Sequence, residues 1–147
     1  MNAKAVILLV EHAKADRFLF LQAVKHAGFF NPVQMVGGGR QAISYFSGAF
    51  HFADRELFPV PTIVALDLNL PRTSGWEVLE WLHARRKFAG LLVMLLKSCL
   101  FTPDLEKAYR LGANSFLKGA CHAEDLAELA KAFPNHFGPF VVDYHLR

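Results

Sequence analysis

Two acids in this chain of 147 residues stand at positions that invite chemistry. Glu11 follows the run AVILLV (residues 5–10) and Asp67 follows TIVAL (residues 62–66). A short run rich in branched apolar residues, bounded by polar ones, reads as a strand buried on both faces. Each acid therefore lies just past the end of a strand. His12 comes next after Glu11, and Leu68 and Asn69 come after Asp67. A third run, LLVMLL (residues 91–96), is followed by Lys97 and Ser98, and a short one at Ser115–Leu117 by Lys118 and Gly119. Acids on two strand ends suit a divalent cation or a phosphoryl group, because both demand hard, charged oxygen chemistry. Polar residues also gather at strand ends simply because the chain reaches water there. Spacing alone does not choose between the two.

The elements that would position these residues alternate along the chain. Apolar residues recur at helical spacing from Lys14 to Ala27, with Gly28 where a C-cap belongs. Pro32–Val36 reads as a strand, Gly37-Gly38-Gly39 as a break, and Arg40–Phe46 as a helix. A loop then runs through Pro61. Trp76–Arg86 is amphipathic, Asp104–Leu111 is helical and closes on Gly112, and Glu124–Phe133 is the last helix. Buried strands alternating with helices predict a five-stranded parallel sheet, doubly wound, with helices on both faces. In such a sheet ligands sit beyond the carboxyl ends of the strands, where Glu11, His12, Asp67, Asn69 and Lys97 fall.

Composition excludes several classes. The longest apolar run near the start is six residues and ends at Glu11, far short of the roughly 20 needed to cross a bilayer. No cleavage pattern follows it, so no membrane role and a cytoplasmic location are expected. The formal charge is +3 and, apart from Arg85-Arg86-Lys87, the basic residues are scattered, which gives no nucleic-acid footprint. Cys99 and Cys121 set up neither a disulfide framework nor a zinc spacing. His12 with Glu11 and Asp67 would form an imidazole-plus-carboxylate set suited to a softer transition metal; a satisfied histidine is the plainer reading. No Gly-x-Ser-x-Gly elbow occurs and Ser98 has no evident base, which argues against a hydrolase.

Three stretches carry a family resemblance: ILLVE (Ile7–Glu11), ALDLNLPRTSGWEVLEWL (Ala65–Leu82) and AYRLGANSFL (Ala108–Leu117). Together they resemble the receiver domain of two-component response regulators. The middle stretch is the specific one, and the likeness covers roughly residues 5–133. The insert FADRELFPVP (Phe52–Pro61) further resembles single-domain regulators associated with phytochrome-type kinases. The resemblance implies a flavodoxin-like strand order of 2-1-3-4-5. It also implies a receiver over residues 1–133 and no output domain in the apolar tail 134–147.

By the same resemblance Asp67 is the acceptor of a phosphoryl group from a sensor histidine kinase, in a phosphorelay that signals by protein–protein contacts. Mg²⁺ would be held by Glu11, Asp67 and the backbone carbonyl of Asn69. A second acid is missing, because His12 stands in its place, so Mg²⁺ binding is expected to be weak. Lys97 falls where receivers carry a Ser or Thr, and Gly119-Ala120 where they carry Lys-Pro. Lys118 is one residue early, a shift that turns a strand side chain to the other face. Phe116 holds the aromatic switch position. Two carboxylates about 4 Å apart repel by roughly 4 kcal/mol at an effective dielectric of 20. Lys97 as a tethered cation against Asp67 and Glu11 would relieve that repulsion. It would also lock a phosphorylation-independent pseudo-receiver, which is the alternative reading. On neither reading is the protein an enzyme. Phe18 and Leu21, three apart on the first helix, are candidates for a partner surface, with Leu100 and Phe101 a second apolar pair. The tail is too apolar for a solvated segment and is expected to pack on the domain or on a second copy in a homodimer.

Overall fold

The structure is a computed structural model that describes residues 5–96 and 102–137. Five strands, β1 (Ile7–Val10), β2 (Val33–Val36), β3 (Ile63–Asp67), β4 (Leu92–Leu96) and β5 (Ser115–Phe116), pair in parallel in the order β2-β1-β3-β4-β5. Helices α1 (Lys14–His26), α2 (Gly39–Ser47), α3 (Gly75–His83), α4 (Thr102–Arg110) and α5 (Ala123–Ala132) connect them. This is the doubly wound sheet that the alternation predicts. No helix among the described residues is long and apolar enough to cross a membrane.

Strand alternation sorts the core into two layers. Leu8, Val10, Val64, Leu66, Val93 and Leu95 point to one side, where α2, α3 and α4 close over them. Ile7, Leu9, Ile63, Ala65, Met94 and Leu96 point to the other, under α1 and α5. Every residue of β1, β3 and β4 is buried, which explains why those strands read as unbroken apolar runs.

The largest departure from the sequence reading lies in the expected loop between α2 and β3. Phe50–Ala53 forms a turn of 3₁₀ helix, and the segment behind it is a packed aromatic unit. The Tyr45 ring meets Phe52 at 5.0 Å and Phe58 at 6.0 Å between centroids. Arg55 holds this unit to the end of α2 by donating to the carbonyls of Tyr45 (2.8 Å), Phe46 (2.9 Å) and Phe58 (3.1 Å). The guanidinium thus reaches Phe46, among the last carbonyls of α2, and shares the Tyr45 carbonyl with the Gly48 N–H. Helix α3 also ends earlier than the expected Arg86. Arg85 is extended, its guanidinium lies 3.8 Å over the Trp81 ring, and it donates to the Trp81 carbonyl at 2.9 Å.

The first residues of the tail pack on the domain. Phe137 is buried against Phe29, Asn31 donates to its carbonyl (3.0 Å), and the Thr62 hydroxyl donates to the carbonyl of His136 (2.7 Å). Residues 138–147 of the expected tail surface lie outside the described residues.

Tyr45 supplies a stability prediction. Its hydroxyl donates to the Pro59 carbonyl at 2.9 Å, and burial pushes the phenol up to about 12 from 10.0, against a small opposing pull from Arg55. A raised acid favours its protonated form in the folded state. Its contribution is therefore full below pH 10 and is lost as the pH rises toward 12. Tyr45→Phe is expected to cost about 1 kcal/mol at pH 7. It should also flatten the stability curve between pH 10 and 12, measured by urea unfolding across pH; a slope equal to the parent's would refute this.

Candidate functional site

Glu11 and Asp67 are the two charged side chains buried among the described residues, at 1 % and 3 % exposure. The sheet register brings them together. Val10 on β1 pairs with Leu66 on β3, and Glu11 and Asp67 are the next residues along those neighbouring strands. Adjacent strands lie about 4.8 Å apart, so two carboxylates share one small volume at the carboxyl end of the sheet. Alternation turns both toward the α1 and α5 side, as continuations of the Ile7–Leu9 and Ile63–Ala65 face.

Each carboxylate accepts a backbone N–H from two residues on. The Asn69 N–H donates to Asp67 Oδ1 at 2.9 Å, and the Ala13 N–H donates to Glu11 Oε1 at 3.3 Å. Local turns thus hold both side chains toward the site. Behind Asp67 the fold tightens further. Ser74 caps α3 by accepting the Glu77 N–H at 3.3 Å, and the Gly75 N–H donates to the Leu68 carbonyl at 3.2 Å. A Cβ on Gly75 would lie 2.5 Å from Leu68 Cα and 2.6 Å from the Asp67 carbonyl oxygen. Only glycine allows α3 to begin so close to the end of β3. Gly75→Ala is therefore expected to cost about 3 kcal/mol. In thermal unfolding that is a fall of about 10 °C; a loss under 2 °C would show that the strand end yields.

The other expected site residues divide. Asn69 is exposed, with its backbone beside Asp67. His12 is exposed and does not join the acids. Among the described residues no group of three or more His, Cys, Asp or Glu is placed to hold a metal ion, so the imidazole-plus-carboxylate set is not formed. The reason is backbone geometry: successive residues at a strand end point apart, and Glu11 takes the inward direction. Lys118 and Gly119 are exposed. Phe116, paired with Leu95, is half-buried against the α2–α4 core layer. Lys97 and Ser98, with Cys99, Leu100 and Phe101, lie outside the described residues, and with them the Lys97 contact to Asp67. On α1, Phe18 (60 %) and Leu21 (36 %) are exposed rather than core.

Two residues near the acids escape a sequence reading. Asp16, in the first turn of α1, lines the same small cavity as Glu11, together with Phe20, Leu96 and Cys121. Burial, with Asp125 nearby, pushes the Cys121 thiol up to about 12, so it is an inert wall. Arg17 donates to the backbone carbonyls of Glu11 and His12. The helical spacing after β1 was the available signal for both, but nothing in it shows which side chains return to the strand end.

Comparison with known proteins agrees with this geometry. No protein-family model matches the chain. It is 31% identical over 121 residues to a probable methanogenesis regulatory protein, FilR2, of Methanothrix harundinacea, covering 82% of this chain and 76% of that one. To the response regulator Rcp1 of Synechocystis it is 28% identical over 130 residues, covering 88% and 86%. A crystal structure of the Mn²⁺-bound form of Rcp1 superposes with a TM-score of 0.72 at 27% identity, over 94% of this chain and 97% of that one. The bacteriophytochrome response regulator RtBRR superposes at 0.76 with 30% identity, over 95% and 81%. With strand order, buried acids and relatives in accord, the chain belongs to the response regulators, as a receiver domain.

Proposed function

We propose that the protein accepts a phosphoryl group on Asp67 from a sensor histidine kinase and passes the signal on by protein–protein contacts. The observation that carries this reading is the side-by-side burial of Asp67 and Glu11 at the carboxyl ends of β3 and β1. A carboxylate oxygen of Asp67 would attack phosphorus while the bond from phosphorus to the kinase imidazole breaks, leaving the group as an acyl phosphate. No other catalysis is proposed.

The donors present are hard anionic oxygens, which fits a small divalent cation that keeps several of its waters. Glu11, Asp67 and the Asn69 carbonyl would hold Mg²⁺, and its charge would offset that of the phosphoryl oxygens. With His12 turned to solvent, two carboxylates rather than three contribute, which supports weak binding. The Mn²⁺-bound form of Rcp1 supports divalent-cation binding as such. For the kinase, or another signalling protein, the exposed Phe18 and Leu21 on α1 offer an apolar contact.

The exposure of His12 and Lys118 favours one second reading, a phosphorylation-independent pseudo-receiver that acts as an interaction module. Intact mass after incubation with Mg²⁺ and acetyl phosphate separates the two. A single phosphoryl adduct, absent from Asp67→Asn, is expected. A folded protein with no adduct, or one on which Asp67→Asn keeps the adduct, would overturn acceptance at Asp67.

A further inference from the structure

We propose that Arg17 is the positioning residue of the acidic site, and that Gly37 exists to make room for it; the functional side of this rests on the reading above. Arg17 lies in the second half-turn of α1, yet its guanidinium returns to the strand end. Nε donates to the Glu11 carbonyl at 2.8 Å and Nη2 donates to the His12 carbonyl at 3.4 Å. The Glu11 N–H in turn donates to the Val36 carbonyl on β2 at 3.1 Å. The backbone of Glu11 is thus gripped on both sides, by the edge strand and by the guanidinium. Such a grip fixes the direction in which its carboxylate leaves the chain. A planar fork with several donors suits two successive carbonyls, and a single ammonium does not reproduce that geometry.

Gly37, the residue after Val36, completes the arrangement. Its N–H donates to Gln41 Oε1 at 2.8 Å, which holds the turn in place. A Cβ at position 37 would lie 2.8 Å from Arg17 Nη2, with Gln41 Oε1 next at 3.5 Å and no backbone atom within 4 Å. Its φ is not in the left-handed region, so glycine is not needed for conformation. An alanine there meets only the far ends of two flexible side chains. It would dislodge the guanidinium while costing the fold little. Position 37 is therefore a second, independent handle on the same contact.

The test uses the full chain with two readouts, Mn²⁺ affinity and amide hydrogen exchange at Ala13, whose N–H is held by Glu11 Oε1. Loss of a group that orients a metal ligand typically costs about 10- to 100-fold in metal affinity. Arg17→Ala and Gly37→Ala are each expected to weaken Mn²⁺ about ten-fold and to speed exchange at Ala13. The double variant should be no weaker than Arg17→Ala alone, because both changes break one contact. Arg17→Lys, which keeps the charge and loses the fork, should fall with Arg17→Ala. Unchanged exchange in the single variants, losses that multiply, or full rescue by lysine would each overturn the assignment. Exchange at Ala13 reads the grip without metal. A parent that binds no Mn²⁺ therefore counts against the proposed function, while faster exchange in the variants still upholds Arg17.

Discussion

The constraint around which this molecule is organised is electrostatic: two carboxylates share one buried volume in a sheet that is otherwise apolar. Burial of Glu11 and Asp67 at 1 % and 3 % exposure removes most of their hydration. Placement on neighbouring strands adds a mutual repulsion of roughly 3 kcal/mol for charges about 5 Å apart at an effective dielectric of 20. A stiff scaffold keeps such a pair at the spacing the strands set. Three fully buried strands, packed between two helix layers, supply that stiffness. Two anionic groups held this close gain from a nearby cation. A phosphoryl group would add negative charge to the pair, so its acceptance would call for the same cation.

The scaffold acts on the acids mainly through backbone. Strand register sets which residues stand side by side, and N–H groups from Asn69 and Ala13 aim the carboxylates. Gly75 lets the start of α3 come within van der Waals contact of the Asp67 backbone. Gly39 does the same one layer away, since a Cβ there would lie 2.5 Å from the Thr73 carbonyl. Side-chain chemistry therefore rests on backbone positions that have no side chain of their own. The same economy appears at the far end of the domain, where Arg55 ties the segment after Phe50–Ala53 to two carbonyls of α2 and to that of Phe58.

These two kinds of order differ in how well a sequence displays them. Strands β1, β3 and β4 were legible because burial on both faces writes itself as an unbroken apolar run, and the acids at the ends of β1 and β3 marked the functional end. The elements with weak or no periodicity were not legible. The 3₁₀ turn in the insert rests on rings from Tyr45, Phe52 and Phe58 meeting across thirteen residues. Helix α3 stops at His83, and Arg85 beyond it lies over the face of Trp81 and donates to its carbonyl, contacts that spacing does not display. Arg17 reads as an exposed helical cation until the fold returns it to Glu11. In each case the deciding contact joins a side chain to a carbonyl or ring whose position depends on the finished fold.

The exposure of His12 changes the balance at the site in a definite direction. Three acids in one volume carry three repelling pairs, whereas Glu11 and Asp67 carry one. On the figure above, a third carboxylate would add about two further repulsions of similar size, which a cation, bound or tethered, would have to offset. With two acids the cation-free fold holds less strain, and a cation has less charge to neutralise. Affinity for Mg²⁺ and tolerance of its absence therefore move in opposite directions. In this chain His12 is turned to water and adds no charge to the volume that Glu11 and Asp67 share. Any cation the pair took up would feel how firmly the two acids are held, and so the backbone of Glu11 and the groups that grip it.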